Sequence, residues 1–251
     1  MNVKFRMPRV GNMEGKTWLQ ELLMTILATS ISIVLTFGTA ALIDKRHQTK
    51  NRKQAAMMVI GDIYSIIDNM KRADSLAFRP NQSLLAQFET IPRDSVLLLN
   101  TDEAALPYFN AMVQEWIYTR DKTAENIFSR DISTWHDVGN FKFIKNVGLC
   151  YSIIEDLEHR LSIQNERRAN NYQLFAQRND WKDMTNGETL ITIYEMKEVQ
   201  IYIQDYTMFI LYLEKRINDL EALNKRNMEI MNINYDELQK FMNVTLQNRS
   251  H

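Results

Sequence analysis

An uncharged run near the N-terminus constrains this chain more than any other feature of its sequence. The run extends from Leu22 to Ile43, reads LLMTILATSISIVLTFGTAALI and contains 22 residues without a formal charge. As an α-helix it would be about 33 Å long, enough to cross the hydrocarbon core of a bilayer, which is about 30 Å thick. The run therefore predicts a transmembrane helix over residues 18–43, preceded by a basic tail at residues 1–17.

Residues on both sides of the run fit the two surfaces of a membrane. Trp18 lies where an interfacial aromatic anchor is expected, and Lys45 and Arg46 can extend their charged groups to the opposite interface. Lysine and arginine are nearly balanced, with four in the tail and five between residues 45 and 53. Long domains cross membranes largely regardless of charge, whereas a basic tail does not. We therefore expect a cytoplasmic N-terminus and an extracytoplasmic domain at the plasma (inner) membrane.

Two other interpretations of the run stay open. It can be a core helix of a water-soluble protein, although its length and its lack of a polar face favour a membrane segment. It can also be a signal peptide, because Gly38-Thr39-Ala40 offers small residues for cleavage. The run is longer than the usual hydrophobic region of signal peptides, so we predict an uncleaved anchor.

Small residues recur at every fourth position of the run and form one stripe on the predicted helix. Such a stripe lets two membrane helices approach each other closely. It predicts a helix–helix interface within the bilayer, made by Ala28, Ser32, Thr36 and Ala40.

The rest of the chain has the composition of a helical domain. Its 251 residues include only 7 glycines and 4 prolines, and apolar residues recur with helical spacing over long stretches. The net charge of −1 gives no field that attracts nucleic acid, so no nucleic-acid partner is expected. Cys150 is the only cysteine, which excludes an internal disulfide and a cysteine-based zinc site. It is predicted to be a small core residue.

Prolines suggest where the helical part is divided. A juxtamembrane helix is predicted over residues 44–78, ending before Pro80, because proline disfavours the helical conformation in the residue before it. A linker is predicted at 79–101 and a helical bundle domain at 102–251.

Within the bundle, Pro107 suits the first turn of a helix, and Ser133 is a plausible N-cap for the long helix after it. Charge rises sharply from Glu166 to Arg168, which predicts that this end of the helix is solvated or close to a helix break.

Two further helix starts have local signatures. Thr185 and Glu188 have the spacing of a capping box, and Asn234 can cap a last short helix.

The clearest pattern outside the run is a heptad repeat between residues 196 and 224. Isoleucine at successive a positions favours a parallel pair of helices from two chains. Further apolar residues widen this face, which favours the core of an antiparallel bundle within one chain. Both interpretations make the same residues a helix–helix interface, namely Ile203, Tyr206, Ile210, Leu213, Ile217 and Leu220. The predicted fold class is all-α, with the transmembrane helix continuing into an antiparallel bundle that contains this long helix.

One group of acidic and histidine residues is a candidate catalytic or metal site. Glu155 and Asp156 precede His159 by four and three positions, so a helical face can present a carboxylate and an imidazole, with His136 as a further candidate. A di-iron bundle needs two Glu-x-x-His helices, and the sequence has no second copy. Phosphate-binding glycine loops and nucleophile motifs are also absent from the sequence. We therefore predict no catalytic residue, cofactor or metal.

The layout around the run resembles that of a known group. From Trp18 to Arg52 an apolar helix is followed by an abrupt charged cluster, with a short basic tail before it and a helical domain after it. In this respect the chain is similar to a loose group of uncharacterised bacterial single-pass membrane proteins with one N-terminal membrane helix and a helical domain. The resemblance implies membrane anchorage and supplies no catalytic residue.

These patterns predict a single-pass, membrane-anchored interaction or scaffold subunit without catalytic activity. Its partners would be the lipid bilayer and either copies of itself or another membrane protein. Two alternatives stay open. One is a membrane-tethered sensor, which predicts a ligand-sized cavity among the helices. The other is a metal-dependent enzyme that uses Glu155, Asp156 and His159.

Overall fold

The computed structural model describes residues 49–116, 118–130, 139–178 and 181–249. These residues form helices joined by short connections and include no β-strand, which confirms the all-α prediction. Residues Lys53–His251 constitute one compact unit, separate from Met1–Arg52.

The predicted membrane segment lies outside the described residues. This holds for the run itself, for its small-residue stripe and for the anchor residues Trp18, Lys45 and Arg46. Among the helices that the structure does describe, none is long and apolar enough to cross a bilayer.

The helices of the described part are numbered here in chain order. They are α1 (residues 49–73), α2 (Arg79–Thr90), α3 (Arg93–Leu97), α4 (Asp102–Val113), α5 (Thr123–Arg130), α6 (Phe141–Ala176), α7 (Asn186–Tyr194), α8 (Lys197–Met231) and α9 (Tyr235–Arg249). A π-helical turn, Asp74–Phe78, joins α1 directly to α2, and a short 3-10 turn, Trp181–Asp183, precedes α7.

The helix does not end before Pro80, so that prediction is wrong. In the π turn the backbone N–H of Arg79 donates to the carbonyl oxygen of Asp74, five residues earlier. This wider turn lets Pro80 take a place in the first turn of α2, where its missing N–H and its ring disturb the helix least. The segment predicted as a linker, 79–101, contains α2 and α3, which pack on α4, α7 and α8.

Two other helix predictions also need correction. Pro107 lies inside α4 and not in its first turn. The long helix does not start after Ser133, which lies outside the described residues; α6 begins at Phe141. Gly139, with φ of 66°, turns the chain there, and the side chain of Asn140 caps the helix by accepting from a backbone N–H in the first turn.

The other two predicted caps are confirmed. Thr185 and Glu188 form a complete capping box at the start of α7. At the start of α9 the side chain of Asn234 accepts from the backbone N–H of Glu237 at 2.8 Å. These caps follow from local sequence alone, because the donor and acceptor are three residues apart.

Three long helices, α1, α6 and α8, form the core, with α8 antiparallel to the other two. Near its N-terminus α8 contacts the π turn that follows α1, where Tyr206 Oη donates to the carbonyl of Phe78 at 3.0 Å. Near its C-terminus Asn224 Nδ2 donates to the carbonyl of Ile60 at 3.1 Å. The α8 helix is also antiparallel to α6, because Tyr202 contacts Arg168 at one end and Asn227 contacts Cys150 at the other.

The heptad residues of α8 are buried against other helices of the same chain. Each is at most 5% exposed: Ile203, Tyr206, Ile210, Leu213, Ile217 and Leu220. They belong to the core cluster that α8 shares with α6 and α1. This burial favours the intramolecular interpretation of the heptad pattern, since a wide apolar face needs more than one neighbouring helix to cover it.

Candidate interaction site on the outer face of the bundle

The C-terminal end of α4 is buried, and several buried polar side chains of other helices bind its last carbonyl groups. The last carbonyl groups of a helix have no partner within that helix. Here donors come from other helices: Asn81 Nδ2 and Tyr202 Oη donate to the carbonyl of Ala111 at 3.3 and 3.2 Å. Asn171 Nδ2 donates to the carbonyl of Met112 at 3.2 Å. The buried amides and hydroxyl thus act as a C-terminal cap supplied in tertiary structure.

Arg168 lies at the centre of this cap and is 0% exposed. Its Nη1 donates to the carbonyl of Gln114 at 3.1 Å, and its Nε donates to Tyr202 Oη at 2.6 Å. The guanidinium carbon lies 5.0 to 5.3 Å from the ring centroids of Trp116, Tyr202 and Tyr206. A helix C-terminus carries partial negative charge and aromatic faces attract cations, so these neutral groups stabilise the buried charge.

The prediction of a solvated end for this helix is therefore wrong at Arg168. Burial raises the pKa of Tyr202 and of Tyr206, so both phenols stay neutral and keep their hydrogen bonds at physiological pH. Together with Arg168 they connect α4, α6, α8 and the π turn. These polar groups serve the fold.

A second polar cluster lies where the segment after α4 crosses α6. Arg120, with only 5% of its side chain exposed, pairs with both Glu125 and Glu158, and Lys122 Nζ lies 3.2 Å from Glu158. An open cavity of about 470 Å³ adjoins the cluster and is also lined by Trp116. The two basic residues and the two glutamates balance in charge, although Arg120 Nη1 has no hydrogen-bond partner within the described part of the chain.

The neighbouring Asp62 accepts a hydrogen bond from Tyr151 Oη at 3.0 Å. Burial raises the pKa of Asp62, while this hydrogen bond and the charge of Arg120 act in the opposite direction. The carboxyl is thus a further buried polar group that the bundle itself accommodates.

Glu155, Asp156 and His159, the residues of the metal-enzyme alternative that the structure describes, are not brought together as a metal site. Glu155 and His159 are exposed, whereas Asp156 accepts from Tyr212 Oη and pairs with Arg160 at 3.4 Å. In the described ranges no group of three or more histidine, cysteine or acidic side chains could hold a metal ion. His136 lies outside these ranges.

Cys150 is a core residue with no exposed surface. Burial raises the pKa of its thiol to about 12, which makes it a poor nucleophile.

The outer face of α6 and α8 carries a groove, referred to below as the outer groove. Its volume is about 550 Å³, and its lining includes Arg160, Gln164 and Arg167 from α6 with Met208, Leu211 and Lys215 from α8. Met208 is 66% exposed and Leu211 is 58% exposed, although both are large apolar residues on a core helix. The α8 helix is therefore apolar on two faces, one towards the core and one towards the solvent.

The sequence does contain a signal for this second face. In the heptad register that places Ile203 and Ile210 at a, residues Ile201 and Met208 occupy f, the position farthest from the core seam. An outward f position normally carries a polar residue, so two apolar residues there indicate a second contact surface. The prediction of the core seam did not include them.

Basic residues outnumber acidic ones in the lining of the outer groove, but its two arginines are ion-paired with Asp156 and Asp205. Three basic residues line it, Arg160, Arg167 and Lys215, against one acidic residue, Asp205. Gln164 is 7% exposed, and its Oε1 has no hydrogen-bond partner within the described part of the chain. An unpaired buried amide oxygen costs about 1–3 kcal/mol, and because this atom has almost no exposed surface the cost falls on the fold.

Comparison of the chain with protein-family models, curated proteins and solved structures gives no match. A helical bundle by itself is compatible with many functions. The function is therefore inferred from the outer groove and from the sequence of the predicted anchor.

Proposed function

We propose that this chain is a single-pass, membrane-anchored interaction or scaffold subunit without catalytic activity, which assembles with copies of itself or with another membrane protein. The observation that carries the proposal is the outer groove. Exposed Met208 and Leu211 lie in this groove, which charged residues of α6 and α8 also line. Proteins that bind a partner helix present such grooves, with an apolar floor and polar margins.

The run Leu22–Ile43 supports the membrane part of the proposal. Its length and its lack of charge suit a bilayer span, with Trp18 and the Lys45–Arg46 pair as interfacial anchors. The small-residue stripe from Ala28 to Ala40 gives a second surface on which copies can associate.

Carbonate extraction of membranes tests the anchor. The full chain is expected in the membrane pellet, because carbonate removes peripheral proteins and leaves spanning helices in place. Recovery in the aqueous fraction, either intact or shortened near Ala40, would contradict the proposal. Protease treatment of intact and opened cells then shows the side of the membrane, with the domain expected outside.

Light scattering of the detergent-solubilised protein tests assembly. The expected result is a protein mass above the monomer value of 29.6 kDa, or a stoichiometric partner that co-purifies. A monomer without any partner would argue against a scaffold role.

One observation favours a sensor as a second candidate. The cavity of about 470 Å³ beside Arg120 and Trp116 lies within the usual range for small-ligand sites, roughly 300–1,000 Å³. A screen of small polar metabolites by thermal shift tests it. A ligand that raises the melting temperature of the natural protein, and not of a variant with Trp116→Ala, would support this function; no such ligand in the screen would count against it.

A further inference from the structure

We propose that the segment between α4 and α5 is a strap that ion pairs of Arg120 hold against the bundle and that acid releases. The structure describes this segment, called the strap below, at residues 114–116 and 118–122. The inference goes beyond the proposed function and does not depend on a membrane anchor. Three observations carry it: the two attachments of the strap, the cavity beneath it and the burial of Arg120.

The two attachments of the strap differ in chemistry. At the first, Asn165 of α6 binds the backbone of Trp116 twice, because its Oδ1 accepts from the N–H at 2.9 Å and its Nδ2 donates to the carbonyl at 2.7 Å. Amide groups do not titrate, so this attachment is independent of pH. At the second, Arg120 pairs with Glu125 of α5 and Glu158 of α6. This attachment exists only while the glutamates are ionised.

Tyr118, which lies between the two attachments, closes a small apolar cavity of about 20 Å³. Apolar residues of α1, the π turn, α6 and α8 form most of its lining. The open cavity of about 470 Å³ beside Arg120 lies next to it, since Tyr118, Glu158 and Leu161 line both. Movement of Tyr118 away from α6 would therefore join the two cavities and expose apolar side chains of the core to water.

Arg120 makes the second attachment sensitive to acid. Only 5% of its side chain is exposed, and its Nη1 has no hydrogen-bond partner within the described ranges. A buried charge that loses its counter-charges is strongly destabilising, and arginine cannot neutralise itself by releasing its proton. Once Glu125 and Glu158 are protonated, the guanidinium is more stable in water than in the bundle. Because Arg120 belongs to the strap, its exit draws the strap away from α6.

The other ionisable groups around Arg120 give the response the same direction. The full set is Asp62, Tyr118, Asp121, Lys122, Glu125, Tyr151 and Glu158. Burial raises the pKa of Asp62, although its hydrogen bond from Tyr151 and the charge of Arg120 oppose this, so it takes up a proton early on acidification. Arg120 and Lys122 stay positive throughout, whereas each carboxylate loses its charge. The attachment is thus present at neutral pH and lost as the pH falls.

Distances between spin labels on the full-length protein test the release. Thr119→Cys on the strap and Leu149→Cys on α6 place labels at exposed positions, and buried Cys150 stays unlabelled. Double electron–electron resonance is recorded at about pH 7 and about pH 4, the region where carboxylates titrate. The distance between these two labels is expected to change by at least about 5 Å in acid, since four extended residues reach about 13 Å. A label pair at Leu149→Cys and Met208→Cys, on α6 and α8, is expected to keep its distance.

Variants assign the release to the ion pairs. Glu125→Gln combined with Glu158→Gln is expected to release the strap already at pH 7, because Arg120 then lacks both counter-charges. Adding Arg120→Met to this pair removes the buried charge, so the strap is expected to stay attached at both pH values. The triple variant keeps the test decisive if the double variant fails to fold. Glu195→Gln, which breaks an exposed ion pair with Arg93, is the matched control and is expected to leave the acid response unchanged.

Three results would each overturn the inference. One is an unchanged distance between the labels at Thr119→Cys and Leu149→Cys from pH 7 to pH 4. Another is an equal acid response in the natural protein and the triple variant, because release would then not depend on Arg120. The third is a simultaneous change between α6 and α8, which would show unfolding of the whole bundle. None of these results bears on carbonate extraction or on oligomeric mass, so the proposed function stands or falls separately.

Discussion

Replacing Asn227 of α8 with leucine is expected to stabilise the protein. Asn227 is 0% exposed, its Oδ1 has no partner among the described residues, and its Nδ2 contacts only Cys150 Sγ, at 4.0 Å. Burying an amide without compensating hydrogen bonds costs about 1–3 kcal/mol in protein mutational data. Leucine has a similar branched shape without polar atoms, so the free energy of unfolding is expected to rise by about 2 kcal/mol.

Asn171→Leu in α6 is the matched control and has the opposite expected sign. Asn171 is equally buried, at 1% exposed, but its Nδ2 donates to the carbonyl of Met112 at the buried end of α4. Leucine would leave that carbonyl without a donor, which is expected to lower the free energy of unfolding by about 1–3 kcal/mol. The two substitutions are chemically identical and both sites are buried, so opposite signs would point to the difference in hydrogen bonding.

Urea unfolding of the full chain, followed by circular dichroism, measures both variants. The free energies come from linear extrapolation, and unchanged slopes would show that the change lies in stability and not in the compactness of the unfolded state. The reasoning is refuted if Asn227→Leu destabilises the protein, or if both variants shift the midpoint in the same direction by similar amounts.

Three further predictions use the same measurement or a labelling assay. Gly187→Ala places a Cβ 2.5 Å from the carbonyl oxygen of Val96 and is expected to lower the free energy of unfolding by about 1–3 kcal/mol. In Gly148→Ala the new Cβ meets nothing within 4 Å, so the free energy of unfolding is expected to rise by about 0.5–1 kcal/mol. Equal effects of the two substitutions would contradict the close approach of α3 to α7. Thr185→Ala removes the capping box of α7 and is expected to lower stability by about 1 kcal/mol in urea unfolding, so an unchanged midpoint would contradict it. Burial raises the pKa of the Cys150 thiol from 9.0 to about 12, so the thiol ionises at lower pH in the unfolded chain than in the native one. The free energy of unfolding is therefore expected to fall as pH rises from 9 towards 12, and to fall less in Cys150→Ala. Rapid labelling of the native thiol at neutral pH would contradict its burial.

The outer groove shows how far a heptad pattern can guide the location of a site. The core-facing residues of α8 follow from their spacing, because apolar residues three and four positions apart share one helical face. The groove also needs Gln164 and Arg167 of α6, which lie more than thirty positions away in the sequence. Only the antiparallel pairing of α6 with α8 brings these two sets together.

The sequence by itself determined what depends on neighbours within about two helical turns. Examples are the all-α class, the core face of α8 and the caps at Thr185 and Asn234, since each is set by spacing along one helix.

Tertiary structure decided the rest, including the passage of the helix through Pro80 and the burial of Arg168. Arg168 follows two charged residues and has the local pattern of a solvated helix end. It is buried because α4 ends inside the core, where its last carbonyls need donors that only another helix can supply. The spacing of residues along α6 cannot predict this need for a donor, because it arises only when α4 packs against α6.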